Sequence, residues 1–124
     1  MYTKDQVLRL IDLAWAAGLF EGEGWITLNN RADGDRNRQV GIQMTDEDVM
    51  RRWVKIIGPT SRFKDLYGPY HPPSMKEHHK EQWGWIISKK SELTRVLQML
   101  LPMFGERRAA KAMEMMKEVD EITN

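Results

Sequence analysis

The sequence predicts one α+β domain over residues 1–124, with the element order αββαββα and one antiparallel sheet lying against a layer of helices. Three observations predict this class. Apolar residues recur at helical spacing near both ends of the chain and once in the middle. Two pairs of segments between them alternate apolar and polar residues, as half-buried strands do. Such a sheet packs one face on the helices and leaves the other face open.

The first helix is predicted over residues 4–21, where Ile11 and Gly18 fall on one side at helical spacing. Thr3 and Gln6 have the spacing of a capping box, in which each side chain binds the other residue's backbone N–H at the start of a helix. Charged residues interrupt the apolar pattern of this helix, which excludes a signal peptide and a membrane span. We therefore expect a cytoplasmic, nucleoid or organelle-matrix protein.

Alternation and turn chemistry predict the remaining elements. An Ala-Asp-Gly-Asp turn joins the first two strands, and acidic residues open the second helix, which stops at a Gly-Pro pair. A long loop joins the third and fourth strands, and the final helical region breaks near Pro102 and Gly105. The predicted bounds are 25–31 and 38–45 for the first hairpin, 46–59 for the second helix, 61–68 and 82–88 for the second hairpin, and 91–105 and 106–122 for the final helical segments.

Alternation also assigns a face to each strand residue. Amide and guanidinium side chains on the open face match the hydrogen-bonding groups of base edges, although an ordinary solvated sheet face would have the same composition. The residues predicted to face the helices are Ile26, Leu28, Val40, Ile42, Met44, Trp83, Trp85 and Ile87. Those predicted on the open face are Trp25, Thr27, Asn29, Arg31, Gln39, Gly41, Gln43, Thr45, Gln82 and Gly84.

Charge is distributed unevenly along the chain. Residues 25–90 carry twelve basic and eight acidic side chains, whereas the whole chain has a formal charge of +1. We expect this basic block to face double-stranded DNA, with a solvated mixed-charge surface as the alternative. The chain has no cysteine, which excludes disulfide frameworks and thiol nucleophiles. The basic residues predicted to contact DNA are Arg31, Arg36, Arg38, Arg62 and Lys64.

The stretch GLFEGEGW, residues 18–25, puts two carboxylates at the C-terminal end of the first helix, where the helix dipole disfavours them. Gly22 and Gly24 are predicted to release the chain from the helix and leave carbonyl oxygens unpaired beside Glu23. A hard divalent cation such as Mg²⁺ suits such oxygens, and a solvated helix end is the alternative.

The first helix also carries the small residues Ala14, Ala17 and Gly18, at the spacing i, i+3, i+4. Small residues on one side of a helix allow a second helix to approach closely. We therefore expect a homodimer about a two-fold axis, which brings two metal sites together, one for each strand of a duplex.

Residues 16–24, AAGLFEGEG, resemble the nonapeptide that names the LAGLIDADG homing endonucleases, with glutamate in place of both aspartates. The predicted element order is similar to that family's αββαββα core, over residues 4–118. The resemblance implies a homodimer through the motif helices and a saddle-shaped sheet in the DNA major groove. It further implies cleavage of both strands of a long pseudo-palindromic site with Mg²⁺ or another divalent cation, in the service of intron or intein mobility.

The resemblance implies roles for three residues of this motif. Glu23 corresponds to the family's metal-binding acid, and the carbonyl of Gly22 corresponds to a backbone ligand. Glu21 corresponds to the acid that helps to tie the two motif helices together. Glutamate at position 23 lengthens the metal ligand by one methylene group, a substitution that the family tolerates.

The resemblance also implies catalytic residues outside the motif. Asp46, or its neighbour Glu47, falls near a family position that orients water, and Arg51 matches a basic residue after that position. The segment LLPMFGERRAAKA resembles the one that carries the family's catalytic lysine, for which Arg107 is the best match and Arg108 the alternative. Because arginine stays protonated, it can neutralise charge on a phosphate but cannot act as a base.

Two other functions are compatible with these residues. A nucleic-acid-binding module of the same fold, such as an RNA maturase or a transcription factor, would keep the basic sheet without needing Glu23. A structural interaction protein would need neither, and retention of both motif acids favours the endonuclease. The side chains predicted to be structural are Trp53, Trp83, Trp85, Met99, Met103, Met113 and Met116 in the core, and His71, His78 and His79 in a solvated or DNA-flanking loop.

Overall fold

Helices and strands follow one another in the predicted order. The computed structural model describes residues 1–30, 32, 34, 36–61, 65–71 and 80–121, with Asn30 and Arg36 described for the backbone only. The helices are α1 (Lys4–Glu23), α2 (Glu47–Ile57), α3 (Lys90–Leu100) and α4 (Glu106–Glu121), with a 3₁₀ turn at Leu101–Met103. The strands are β1 (Gly24–Asn30), β2 (Arg36–Met44), β3 (Tyr67–Tyr70) and β4 (Gln82–Ile87). The predicted fold class is confirmed, and among the described residues no helix is long and apolar enough to cross a membrane.

The four strands form one antiparallel sheet in the order β1-β2-β4-β3. Val40 and Ile42 of β2 pair with Ile87 and Trp85 of β4, and all four side chains are almost completely buried against the helices. The residues between them face the opposite side, because successive side chains alternate along a strand. The predicted faces of the two central strands are therefore confirmed.

An aromatic cluster joins α1 and α2 to the sheet. Phe20 of α1 stacks on Trp53 of α2 with ring centroids 5.9 Å apart, and Trp53 meets Trp85 edge-on at 5.4 Å. All three side chains are fully buried. A Cβ atom at Gly24 would lie 2.3 Å from the Phe20 ring, so glycine is what lets β1 begin directly on this cluster. The end of α1 is thus fixed relative to the sheet.

Side chains from three other elements hold the C-terminal end of α2. Arg9 and Arg95 donate to the last two carbonyls of the helix, at 3.0 and 2.8 Å. The indole of Trp85 donates to the Gly58 carbonyl at 3.0 Å. Gly58 itself has φ of 108°, a left-handed conformation that ends the helix. Two cations therefore lie where the helix dipole is negative, which stabilises this end of α2.

Some details differ from the sequence prediction. α1 continues to Glu23 and does not stop at residue 21. β3 begins at Tyr67, not at residue 61, and it contains Pro69, which an edge strand tolerates because one side of its backbone needs no partner strand. Met113 is 58% exposed on α4, so its prediction as a core residue is wrong, whereas Met99, Met103 and Met116 pack against the core as predicted. His71 is exposed, and the predictions for His78 and His79 lie outside the described residues.

Candidate nucleic-acid interface and metal site

The acidic motif lies in the last turn of α1. Gly24 caps the helix in an extended conformation, and its N–H donates to the carbonyl of Phe20. The Glu23 side chain is exposed, and no hydrogen bond or ion pair joins its carboxylate to another described residue. The last carbonyls of the helix, that of Gly22 among them, have no helical donor further along the chain. This turn therefore offers a carboxylate and main-chain oxygens to a ligand.

Glu21 is engaged with α4. One carboxylate oxygen accepts from the backbone N–H of Gly105 at 3.0 Å, and the other accepts from Nε of Arg108 at 3.1 Å. Nη2 of Arg108 also donates to the Glu21 carbonyl at 3.0 Å, and its guanidinium carbon lies 5.1 Å from the centre of the Phe20 ring. Each carboxylate oxygen thus has a donor within the chain, and the expected contact of Glu21 with a second motif helix stays a prediction.

The two candidate arginines at the start of α4 have different surroundings. Arg108 is 19% exposed and committed to Glu21. Arg107 is exposed, and it lines a cleft of about 260 Å³ together with Glu21 and Glu106. One helical turn further along, Lys111 lines an adjoining cleft in which Arg107 also takes part. Of the two arginines, Arg107 is the one accessible to a phosphate group.

Asp46 lies at the same end of the sheet as Glu23. The pairing of Gly24 with Ile42 brings the end of β2 next to the end of α1, and Asp46 follows two residues after that strand. Asp46 occupies the N-cap position of α2, yet its exposed side chain makes no capping hydrogen bond. Its carboxylate is therefore turned outward and accessible to solvent.

Arg51 is paired with carboxylates on the surface of α2. Its guanidinium donates to Glu47 and to Asp65, both at 2.8 Å. These hydrogen bonds, that to Glu47 first, raise the pKa of Arg51 above its ordinary value. Arg51 and Glu47 are thus engaged with each other, and of the two neighbouring acids Asp46 is the one that lacks such a partner among the described residues.

An aromatic ring and polar groups cover the β1–β2 part of the open sheet face. The Trp25 ring lies over Gly41, where a Cβ atom would be 2.4 Å from it, and its Nε1 donates to Oε1 of Gln39 at 3.1 Å. Thr27 and Asn29 follow Trp25 on the same face, and Asn29 is exposed. These four polar or aromatic side chains lie where alternation predicts them.

A second cluster joins β2, β4 and β3 on this face. The Gln43 amide nitrogen donates to Oε1 of Gln82, and the Gln43 amide oxygen accepts from the hydroxyl of Tyr70. The hydroxyl of Tyr67 lies 3.5 Å from the same oxygen, and its ring covers Gly84. Neither tyrosine is among the residues predicted on the open face. Gly84 was the available signal, because a glycine inside a strand leaves room for a ring from the neighbouring strand.

Arg38 faces the helices. It pairs with Leu28, which is buried, and its Nε lies 3.3 Å from the carboxylate of Glu118 on α4. The Arg38 side chain therefore lies on the helix side of the sheet, because its position in β2 has the same parity as the buried residues of that strand. This placement disfavours its predicted contact with DNA. The predicted contacts of Arg31, Arg62 and Lys64, and of the Arg36 side chain, lie outside the described residues.

One side of α1 is apolar and exposed. The exposed fractions are 43% for Val7, 49% for Leu8, 42% for Leu10 and 54% for Ile11. Four large apolar side chains on one helix form a contiguous patch of the kind that marks an interaction surface on a soluble protein.

Small residues continue the apolar side of α1 toward Glu23. Ala14 and Gly18 are exposed, whereas Ala17 is 1% exposed and belongs to the chain's own core, so it is not part of this side. A Cβ atom at Gly18 or Gly22 would meet nothing within 4 Å. The packing of the chain itself therefore requires glycine at neither position. The small-residue stripe on the exposed side is Ala14, Gly18 and Gly22.

The end of α1 matches a magnesium site in which the protein supplies only a few of the ligands. Within the described ranges no three histidine or acidic side chains come together to hold a metal. Mg²⁺ keeps several waters and commonly uses one or two carboxylates together with substrate phosphates. The exposed carboxylate of Glu23 beside the carbonyl of Gly22 meets that requirement, and a substrate would have to complete the ligand set.

The chain resembles known proteins in its fold but not in its sequence. No family model matches the chain, and no characterised protein sequence does. The homing endonuclease I-CvuI, solved with its target and Ca²⁺, has a TM-score of 0.72 and 16% identity, over 95% of this chain and 71% of its own. The chain has the LAGLIDADG homing-endonuclease fold.

Two other solved structures show the same fold. The group I intron-encoded homing endonuclease I-CeuI, complexed with DNA, has a TM-score of 0.61 and 10% identity, over 89% of this chain and 54% of its own. The archaeal intron-encoded homing endonuclease I-Vdi141I, also complexed with DNA, has a TM-score of 0.59 and 10% identity, over 92% of this chain and 85% of its own. The fold that the AAGLFEGEG motif led us to expect is therefore confirmed.

Proposed function

We propose that this chain is a homodimeric, sequence-specific DNA endonuclease that hydrolyses one phosphodiester bond in each strand of a long pseudo-palindromic duplex. The observation that carries the proposal is the exposed carboxylate of Glu23 at the end of α1, in a chain with the homing-endonuclease fold. Solved structures of this fold include endonucleases complexed with DNA, which supports the same substrate here.

The open face of the sheet is the proposed DNA-reading surface. It presents amides, hydroxyls and aromatic rings from all four strands, and such groups hydrogen-bond to base edges in the major groove. Because antiparallel strands lie side by side, their outward side chains can contact successive base pairs along a groove. The proposed contacts among the described residues are Trp25, Thr27, Asn29, Gln39, Gln43 and Gln82. We add Tyr67 and Tyr70 to them, because their hydroxyls lie beside Gln43 on the same face.

The exposed side of α1 is the proposed dimer interface. Its large apolar residues are followed by Ala14, Gly18 and Gly22, and the chain's own packing leaves space at both glycines. A second α1 helix related by a two-fold axis would bury this side and would approach most closely at the glycines. Since Glu23 lies one residue beyond Gly22, two active sites would lie near the axis, one for each DNA strand.

The residues at the end of α1 and the start of α4 would carry the chemistry. Glu23 and the Gly22 carbonyl would hold the divalent cation, Mg²⁺ by preference. When bound, such a cation supplies positive charge at the scissile phosphate and lowers the pKa of a water molecule. Arg107 would neutralise charge that develops on the phosphate, which the always protonated guanidinium does without transferring a proton. Asp46 would accept a hydrogen bond from the attacking water and orient it.

Selection followed by cleavage tests this function. The wild-type protein is incubated with a library of randomised duplexes in EDTA, the bound duplexes are recovered and sequenced, and the recovered sequence is then incubated with protein and Mg²⁺. We expect a pseudo-palindromic target, cleavage of both strands in Mg²⁺ and intact DNA in EDTA. Binding of a specific duplex without cleavage would instead assign the chain to the nucleic-acid-binding alternative, and the absence of any selected sequence would refute DNA recognition altogether.

A further inference from the structure

We infer that Glu21 is a positioning residue, which holds Arg107 at a fixed place relative to Glu23. This inference rests on the proposed function. Glu21 lies two residues before Glu23 in the last turn of α1, and it binds two groups of the other segment, the Gly105 N–H and the Arg108 guanidinium. Arg107 lies between these two anchored residues in the chain.

We call the contacts of Glu21 with Gly105 and Arg108 the Glu21 clamp. Their geometry restrains the start of α4 in both direction and distance. The two oxygens of one carboxylate bind donors on either side of Arg107, at 3.0 and 3.1 Å. A third hydrogen bond, from Arg108 to the Glu21 main chain at 3.0 Å, ties the two backbones together as well. Charge-assisted hydrogen bonds of this kind are stronger and more directional than neutral ones. The first turn of α4 therefore cannot move away from the last turn of α1 without breaking all three.

Steric fit confines the same junction. A Cβ atom at Gly105 would lie 3.0 Å from the Glu21 carboxylate, so a side chain there would make the carboxylate shift by a few tenths of an ångström. Phe104, the preceding residue, stacks on Phe20 with centroids 5.6 Å apart, and Phe20 also lies under the Arg108 guanidinium. The clamp is thus built on the aromatic cluster of the core and is not a loose surface pair.

The consequence for catalysis is positional. Glu23 and Arg107 would act on the same phosphate from two helices, and the covalent chain between them is more than eighty residues long. A displacement of about 1 Å in an active site can cost about a hundredfold in rate. Glu21 would prevent such a displacement without touching the substrate.

The test is a double-mutant cycle on the duplex recovered by selection. Glu21→Gln keeps size but removes the charge, and we expect it to lower the single-turnover cleavage rate at saturating protein by about tenfold to a hundredfold. DNA affinity in EDTA, the dimer equilibrium and the Mg²⁺ concentration for half-maximal rate should stay at wild-type values. In the Arg107→Ala background, the same Glu21→Gln change should have almost no further effect, because its target is gone.

Glu92→Gln serves as the matched control. Glu92 also receives a backbone N–H and a side-chain donor, from Ser61 at 2.9 and 2.8 Å, but it lies on α3 away from Arg107. We expect this variant to cleave at the wild-type rate. A Glu21→Gln variant that cleaves normally, or whose effect multiplies in full with that of Arg107→Ala, would overturn the positioning role.

Other outcomes are also decisive. A loss confined to the dimer equilibrium would assign Glu21 to the partner helix, and a raised Mg²⁺ requirement would assign it to the metal, so either would overturn the inference. If the wild-type protein cleaves no duplex, both the proposed function and the proposed role of Glu21 are refuted. Cleavage that survives Glu21→Gln would remove only the role of Glu21.

Discussion

Replacement of Ile11 by alanine tests whether the exposed side of α1 is a dimer interface. Ile11 is 54% exposed, so its truncation takes little from the core of the protomer. Full burial of an isoleucine side chain contributes about 1.5 to 3 kcal/mol, and burial of its exposed half therefore contributes about 1 to 1.5 kcal/mol. A two-fold interface contains two copies, so we expect the dimer to lose about 2 to 3 kcal/mol. The Kd should then rise about 30- to 150-fold.

Sedimentation velocity over a range of protein concentrations measures this Kd. Met113→Ala is the matched control, because Met113 is 58% exposed but lies on α4, away from the proposed interface. Gly18→Val should also weaken the dimer, since it adds a side chain where the protomer has space and a partner helix would approach. Equal effects of Ile11→Ala and Met113→Ala would show that the exposed side of α1 is not a dimer interface. A wild-type protein that stays monomeric at micromolar concentration with DNA would show the same.

Three predictions concern individual contacts elsewhere. Tyr70→Phe and Gln43→Ala should relax base preference at the same base pair, by about 1 to 3 kcal/mol, because a hydrogen bond joins the two side chains. Selection on randomised targets measures this preference, and effects at unrelated base pairs would contradict the prediction. Arg38→Ala should lower the free energy of unfolding by about 1 kcal/mol, since Arg38 pairs with Glu118. The salt dependence of DNA affinity should stay unchanged, and a reduced salt slope in a binding titration would contradict this. Arg95→Met should lower the free energy of unfolding by about 2 kcal/mol, as it removes a charged donor from a helix carbonyl; unchanged thermal denaturation would contradict this.

Local patterns were sufficient to predict most of the elements. Thr3 and Gln6 form the predicted capping box, with hydrogen bonds of 2.8 and 3.1 Å, because both partners lie within one turn. The face of each central strand follows from a period of two, which needs no knowledge of the partner strand. The same period places Arg38 on the helix side of β2, away from the open face.

Contacts between distant residues could not be predicted from such patterns. Glu21 and Arg108 are 87 positions apart, and nothing in the spacing of either says that they meet. The free side of α1 depends on which side the sheet and the other helices cover. Ala17 is a small residue at helical spacing from Ala14, yet it lies in the core. Gly22 instead belongs to the small-residue stripe on the exposed side. The start of β3 likewise depends on where β4 offers a partner.

The proposed function requires the Glu23 carboxylate to hold the metal with which the protein would cleave DNA. Glu23→Gln keeps the size and polarity of the side chain and removes its charge. The most direct measurement compares this variant with the wild type on the selected duplex, recording the single-turnover cleavage rate in Mg²⁺ and the DNA affinity in EDTA. We expect the cleavage rate of Glu23→Gln to fall by about a hundredfold or more while its DNA affinity stays unchanged. Cleavage by Glu23→Gln at the wild-type rate would contradict it.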